Sequence, residues 1–250
     1  FDACLIRTTW DYTERRQEFV DWAERCAKAT RLLNGAATVK WNTDKRYLAQ
    51  LEKLGVRLAP TRWIESVEDV SSEKLEGFLA GRKGFLKPLV GACASDTLPF
   101  DCDGAGLALA QSHVEAHISK SSMMLQPFLE SVKTEGEYSF LYFGGEFSHA
   151  VRKVPVPGDY RVMDDFGATD EPYTPRAEEL ATSEGILSRL SQIEELSAEP
   201  LLYARVDYLR NDEGELCLNE LELVEPSLFF RHSANAAPML ARALAKFLPE

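Results

Sequence analysis

The stretch LCLNELELVEPSLFF, residues 216–230, decides how this chain is read. It is mostly apolar and alternates as a strand does, through Leu218, Leu221, Leu223 and Val224, yet it sets Glu220 and Glu222 two residues apart. Strand residues two apart point to one face, so the two carboxylates stand together, opposite Leu221 and Leu223. Upstream, LLYARVDYLRNDEGEL (201–216) repeats the pattern with Arg205 and Asp207, opposite Leu202, Ala204 and Val206. The segment RNDEGE between them reads as a turn. Centring it near Asp212 and Glu213 pairs residues whose numbers sum to about 425–427, the register of a short hairpin. Arg205 and Asp207 then lie opposite Glu220 and Glu222, and three carboxylates share a face with one guanidinium.

Two carboxylates about 6 Å apart repel by about 0.7 kcal/mol in bulk water and about 3 kcal/mol at an effective dielectric of 20. In a partly buried cleft they call for a cation. Carboxylates without nitrogen or sulfur partners suit magnesium, which binds through one or two of them while holding substrate phosphates. The competing reading is a solvated outer face, the commonest fate of charges on an antiparallel sheet. The hairpin alone leaves both open.

The rest of the chain narrows the choice. With 250 residues and 45% hydrophobic content it can build one large or two modest cores. A net charge of −12, from 40 acidic and 28 basic residues, argues against a nucleic-acid partner, since no basic stripe is available to neutralise phosphates. No apolar run approaches the roughly 18 to 20 residues that span a bilayer, so a soluble, cytoplasmic protein with no membrane partner is expected. Cys4, Cys26, Cys93, Cys102 and Cys217 are odd in number and irregularly spaced, which predicts reduced thiols. The opening FDACLIRTTW reads as a strand and loop rather than a signal peptide, and suggests a chain that has lost its natural N-terminus.

Along the chain, TERRQEFVDWAERCAKA has the spacing of an amphipathic helix, with Thr13 as its cap. RLLNGAATVKWN reads as a short strand and turn, and TDKRYLAQLEKLG as a helix stopped by Gly55. A helix (SSEKLEGFLAGR), a strand (GFLKPLV), a second helix (GAGLALAQSHVEAHISK) and an extended segment (SMMLQPFLE) follow. GEYSFLYFGGEFSHAVRKVPV reads as a hairpin on a Gly-Gly turn. Residues 155–175, rich in Pro, Gly and Asp, read as a long loop, then come a helix over 176–196, the charged hairpin, and a closing helix (NAAPMLARALAKFL). Strand and helix alternate without a fixed repeat, so the class is mixed α and β.

Two further segments bear on chemistry. In GFLKPLVGACASDT a lysine ends an apolar strand and small residues follow; small side chains let backbone N–H groups approach phosphate oxygens while the lysine supplies a point charge. This is not the phosphate loop in which the lysine opens a helix. In MLQPFLESVKTEGEYSF, Pro127 cannot donate to a ladder, which leaves backbone groups free to read an adenine edge, and Glu137 follows as an acceptor for ribose hydroxyls.

In this order the segments NTDKRYL, FLKPLVGACASDT, LQPFLES…GEYSF, HAVRKVPVPGDYR, YARVDY and CLNELELVEPS resemble the ATP-grasp superfamily, in its glutathione-synthetase-like and D-alanine–D-alanine-ligase-like members. They span residues 41 to 230. IRTTWDY and WNTDKRYL are most similar to the branch containing the cyclo-ligase that makes D-cycloserine from O-ureido-D-serine. The resemblance implies an α/β (α+β) ATP-grasp fold, two α+β subdomains clasping ATP: residues 1–40 as a remnant of a truncated N-terminal α/β domain, 41–122 and 123–250 as the N- and C-terminal subdomains. It implies that Lys45 and Lys87 hold the ATP phosphates under a flexible loop at 91–95. Gln126 and the backbone of Phe128 and Leu129 would contact adenine, and Glu137 the ribose. Lys153 and Arg161 would flank the phosphates and the substrate carboxylate, and Arg205 would stabilise the transferring phosphoryl group. Asp207, Glu220 and Glu222 would hold two Mg2+ ions, with Mn2+ as a substitute. Related ligases usually carry Asn where this chain has Glu222, which makes the local charge more negative.

The activity implied is a ligase that forms a carbon–nitrogen bond through an acyl phosphate on a small amino-acid-like carboxylate, in the cyclo-ligase branch within one molecule. The resemblance also implies a place in antibiotic biosynthesis, and it leaves the oligomeric state open, with a homodimer as one alternative. The alternatives are an ATP-grasp protein that binds nucleotide without ligating, and a plain α/β scaffold that binds none. Other features carry less. His113 and His117 in HVEAH are a helical turn apart, but a zincin needs Glu where Val114 stands, so a solvated helix face is expected. Cys93 is read as simply a small residue, and GAG at 104–106 as a helix start.

Overall fold

A computed structural model describes residues 1–196 and 200–248. Its contacts divide the chain into two units, residues 1–57 with 131–250, and residues 58–130.

The first unit begins with two short parallel strands, β1 (Ala3–Leu5) and β2 (Arg31–Leu33), joined through helix α1 (Arg16–Ala29). Thr13 does not cap this helix. Residues 10–14 form a 3-10 turn, because Tyr12 is buried and stacks on Phe19 at 5.2 Å, and α1 starts after Arg15. Where the sequence suggested only a strand and a turn, Ala36–Asn42 forms helix α2, burying Thr38, Val39 and Trp41. Helix α3 (Tyr47–Lys53) follows and ends as expected, with Gly55 at φ +82°. Only a residue without Cβ takes that conformation at little cost.

The second unit is a four-stranded antiparallel sheet in the order β3 (Arg62–Ile64), β6 (Met123–Pro127), β4 (Gly84–Pro88), β5 (Leu98–Phe100). Helices α4 (Ser72–Leu79) and α5 (Gly104–His117) cover one face. Leu75, Leu79, Leu107 and Val114 pack there on Ile64, Leu86, Phe100 and Leu125. Asp103 caps α5, accepting from the Gly106 N–H at 2.8 Å.

The first unit resumes with a short helix, α6 (Ser131–Thr134), and the hairpin of β7 (Glu137–Phe143) and β8 (Glu146–Val154). Gly144 and Gly145 both have positive φ, as the Gly-Gly turn predicts. The segment 155–175 is not all loop. Thr169–Tyr173 forms β9, which pairs with β8 at the sheet edge, the place where Pro172 removes no ladder bond that the sheet requires. Helix α7 (Ala177–Arg189) stops earlier than expected and hands over to 3-10 turns. The charged hairpin is β10 (Tyr203–Arg210) and β11 (Leu216–Glu222), and α8 (Ala236–Ala245) closes the chain. The five strands run in the order β11-β10-β7-β8-β9, all antiparallel.

One edge of this sheet is finished by side chains. The Asn42 amide donates to the Leu221 carbonyl at 2.7 Å and accepts from the Leu223 N–H at 2.8 Å. The Tyr47 hydroxyl accepts from the Leu221 N–H at 2.9 Å, and the Arg57 carbonyl from the Leu218 N–H at 2.9 Å. Asn34, wholly buried, donates to the carbonyls of Tyr203 and Leu223 and accepts from the Leu202 N–H. An unpaired strand edge is thereby satisfied.

Candidate active site

The hairpin has the register its sequence implied: Arg205 opposes Glu222 and Asp207 opposes Glu220. A bulge follows, so Asn219 is the extra residue before Leu218 meets Tyr208. Across β10, Asp207 opposes Ser139 of β7, and Glu137 of β7 opposes Lys153 of β8. Adjacent strands thus deliver Glu137, Ser139, Lys153, Arg205, Asp207, Glu220 and Glu222 to one area of the sheet.

The bonding there is dense. Arg205 grips Asp207 with two parallel bonds, Nε to Oδ1 at 2.9 Å and Nη2 to Oδ2 at 2.8 Å, and its Nη2 also donates to Glu222. Ser139 donates to Asp207. Lys153 pairs with Glu137 and lies 3.9 Å from Asp207. The Asn219 amide, turned inward by the bulge, donates to Glu137 at 2.6 Å. Lys45 reaches Glu220 at 3.2 Å. Arg205, Asp207, Glu137 and Lys153 are all at least nine-tenths buried, so the solvated-face reading of the hairpin does not hold.

Burial sets the electrostatics. It pushes the Glu222 carboxyl up to about 8, against the Arg205 charge and with help from Asp207, Glu220 and Glu225. Glu225, three residues on and buried, is pushed up to about 7 by burial, against Lys45 and a hydrogen bond with Tyr12. Glu137 is likewise raised by burial, which Lys153 only partly offsets. Asp207 goes the other way: burial raises it, but Arg205 and Lys153 outweigh that and hold it low.

These residues fit a hard divalent cation. Asp207, Glu220 and Glu222 each offer an oxygen within 4.8 Å of the others, a set with no nitrogen or sulfur. At that separation two carboxylates repel by about 3 kcal/mol at an effective dielectric of 20. A divalent ion removes that repulsion and lowers the carboxyls that burial has raised.

Within the second unit, Lys87 and Gln126 share a face. Lys87 opposes Met124 and Gln126 opposes Phe85 in the β4–β6 ladder, while Leu86 and Leu125 turn to the core side. Lys87 is buried rather than an exposed turn lysine, and Gln126 donates to Thr61 at 2.9 Å. The Phe128 N–H donates to the Lys83 carbonyl at 2.8 Å, and Leu129 is half-buried beside it. In the small-residue loop, Cys93, Ala94 and Asp96 all have positive φ. His113 and His117 are not a purely solvated face. Nε2 of His113 lies 2.9 Å from the Asp96 carbonyl and Nε2 of His117 3.2 Å from its carboxylate, so they fasten this loop.

Arg161 stands apart from the cluster its sequence neighbour Lys153 joins. It is clamped on Asp159, Nη2 to Oδ2 at 2.7 Å, with its guanidinium 3.9 Å from the Phe166 ring centre. Sequence reasoning also passed over Ser139, Asn219 and Glu225. Ser139 was within reach, since it lies two residues beyond Glu137 on an evident strand. The bulge that brings in Asn219 carries no sequence signal of its own.

The fold is shared with known ligases. The chain superposes on Bacillus anthracis D-alanine–D-alanine ligase complexed with ATP with a TM-score of 0.67 at 15% identity, covering 99% of this chain and 79% of that one. The ATP-grasp ligase PsnB with a precursor variant, Mg and ADP gives a TM-score of 0.61 at 16% identity, over 94% and 68%. The fold is that of the ATP-grasp ligases. More specifically, residues 1–34 match the family described as D-cycloserine synthetase DcsG, N-terminal domain. The whole chain is 33% identical to the cycloserine biosynthesis protein DcsG of Streptomyces lavendulae, over 99% of this chain and 84% of that protein. The crystal structure of D-cycloserine synthetase DcsG matches with a TM-score of 0.87 at 31% identity, over 100% and 84%. The chain belongs to the DcsG family of the ATP-grasp superfamily. It is a ligase of the carbon–nitrogen bond-forming class.

Proposed function

We propose that the chain activates the carboxylate of a small amino-acid-like substrate as an acyl phosphate and closes it on a nitrogen of the same molecule, giving a ring of the D-cycloserine type. The observation that carries this reading is the cluster of buried Arg205 and Asp207 with half-buried Glu220 and Glu222, in a chain similar along nearly its whole length to a cycloserine biosynthesis protein. Asp207, Glu220 and Glu222 hold magnesium, two ions once nucleotide is bound, and Mn2+ suits the same oxygens. The metal supplies charge neutralisation of the phosphates.

The chain's own residues do the rest. Lys45, Lys87 and Lys153 take phosphate oxygens; Gln126, with the backbone of Phe128 and Leu129, takes adenine; Glu137 takes the ribose. Arg205 lies beside the carboxylates, where a guanidinium neutralises the γ-phosphoryl group as the substrate oxygen attacks it and ADP leaves. The substrate nitrogen then adds to the acyl carbon, the carbon–oxygen bond breaks, phosphate departs and the nitrogen loses its proton. Arg161, turned onto Asp159 in this structure, must leave that pair to meet a substrate carboxylate. Positioning and charge neutralisation suffice, so no catalytic His or Cys is needed.

The test is a calorimetric titration of Mg-ATP into the wild-type chain and a Glu220→Ala/Glu222→Ala double variant, followed by incubation with O-ureido-D-serine and mass detection of a ring product. Magnesium-dependent binding that the variant loses, with ring formation and phosphate release by the wild type, is the expected result. Binding without any product would instead favour a nucleotide-binding protein that does not ligate.

A further inference from the structure

Beyond Glu222 the chain runs through Leu223 and Val224 into Glu225-Pro226, and the loop after β1 is fastened against that turn. The Tyr203 hydroxyl contacts the carbonyls of Ile6 at 2.9 Å and Val224 at 2.8 Å. Arg7 Nη2 donates to the Pro226 carbonyl at 3.1 Å, and Trp10 Nε1 to the Glu225 carbonyl at 3.1 Å.

Two polar atoms in this well-tied loop are left over. Arg7 Nη1 and Thr9 Oγ1 are both buried, and neither has a hydrogen-bond partner among the described residues. Buried polar atoms are nearly always paired, and leaving a charged donor unmet is costly. The guanidinium is set over the Tyr203 ring at 5.6 Å, and Tyr203 stands two residues before Arg205 on β10, on the same face of the sheet. The nearby Glu225 is a carboxylate that is 8% exposed, and no cation forms a salt bridge to it among the described residues. Two donors for an oxyanion thus lie on the loop after β1, and one acceptor for a cation lies on the turn to which Arg7 and Trp10 fasten that loop.

We infer that Arg7, Thr9 and Glu225 form the recognition site for an α-amino acid zwitterion, with Arg7 Nη1 and Thr9 Oγ1 donating to the substrate carboxylate and Glu225 accepting from its ammonium group. The inference deepens the ligase reading and rests on it for the identity of the reacting carboxylate. The α-carbon end of the substrate is thereby fixed, and its carboxylate is presented toward Arg205.

The test measures KM for O-ureido-D-serine and Kd for Mg-ATP in Arg7→Met, Thr9→Val and Glu225→Gln variants. Each should raise KM by about 10- to 100-fold, the loss expected for a hydrogen bond to a charged group, while Mg-ATP Kd stays within about twofold. Arg7→Lys should recover part of the loss. Thr9→Val guards against a folding artefact, since Thr9 ties no backbone. KM values within about twofold of wild type in all three would overturn the assignment. A wild-type chain that turns over no O-ureido-D-serine sinks the ligase reading instead, and the site is then judged by calorimetry with D-serine and D-serinamide in the presence of Mg-ATP. D-serine binding that is absent with the amide and lost in Arg7→Met upholds the site. No D-serine binding to the wild type, or binding unchanged in Arg7→Met, overturns it.

Discussion

Asn42 offers the sharpest test of how the site is held, because its side chain stands where the next strand of the sheet would be. It donates to Leu221 and accepts from Leu223, the two residues that flank Glu222 in sequence. Asn42→Ala removes both bonds and leaves a carbonyl and an N–H unmet. Each lost bond forfeits about 1 kcal/mol of net stabilisation, and each orphaned buried group adds about 1–3 kcal/mol. Asn42 is only partly buried, so water can reach some of what is exposed, and a loss of about 2–4 kcal/mol is expected. Urea denaturation monitored by circular dichroism measures it directly. The same change frees the backbone that aims the Glu220 and Glu222 carboxylates, so Mg-ATP affinity should fall about tenfold, equivalent to about 1.4 kcal/mol. Asn42→Asp keeps the acceptor for Leu223 but sets a carboxylate against the Leu221 carbonyl, and should be no better than the alanine variant. A stability loss below about 0.5 kcal/mol with unchanged Mg-ATP binding would refute the argument that side chains complete this edge.

Three further outcomes follow from the same structure. Gly136 has φ +84°, and a Cβ there would lie 2.1 Å from the Lys153 carbonyl; Gly136→Ala should displace β8 at Lys153 and lower the melting temperature by at least about 5 °C in a thermal scan. Burial would raise Glu179, but its bonds from the Arg176 N–H, Arg210 and Tyr173 outweigh it and hold the carboxyl at about 2. Because the folded value lies below the ordinary 4.5, its stabilisation is present above about pH 4.5 and is lost as pH falls toward 2, a loss of about 2 kcal/mol after solvent screening. Glu179→Gln should flatten that acid limb in denaturation midpoints taken between about pH 6 and 3. Asp207→Asn leaves Arg205 and Lys153 buried and under-compensated, which should cost about 3–5 kcal/mol. Glu220→Gln, at a side chain 28% exposed, should change stability by less than about 1 kcal/mol while still weakening magnesium binding, and equal destabilisation by the two would count against the metal assignment.

The hairpin was legible because a strand's period of two is strict: once two carboxylates and an Arg-Asp pair share that spacing across a short turn, little freedom remains. The Gly-Gly turn and the Gly55 stop were legible for the related reason that positive φ favours glycine. What escaped was decided at long range. Ala36–Asn42 looked like a turn because Asn34-Gly35 carries turn chemistry and the run is short, yet it coils to bury Val39 and Trp41. Residues 169–173 looked like loop because Pro, Gly and Asp disfavour strands in general, while an edge position beside β8 tolerates them. Arg161 and Lys153 looked equivalent at a spacing of eight. Only Lys153 lies on a strand inside the sheet, whereas Arg161 is captured by Asp159 in the loop beyond it.

The way residues 1–57 join the sheet bears on what the first unit is. Its acidic cluster sets Asp207, Glu137, Glu220 and Glu222 against Arg205, Lys153 and Lys45, with Glu225 close behind, so carboxyls outnumber cations and ionising all of them is opposed by burial and mutual repulsion. Such a cluster tends to push its own strands apart. What resists is β10 and β11 being held from the side by groups more than a hundred and fifty residues away in sequence: Asn34 on 202, 203 and 223, Asn42 on 221 and 223, Tyr47 on 221, and the Arg57 carbonyl on 218. Each of these bonds is to backbone, so it fixes where a strand runs whatever side chain the strand carries. The N-terminal segment therefore contributes twice over, once as the side-chain edge that keeps an electrostatically strained hairpin in register, and once, through Arg7 and Thr9, as the source of donors that the hairpin itself lacks.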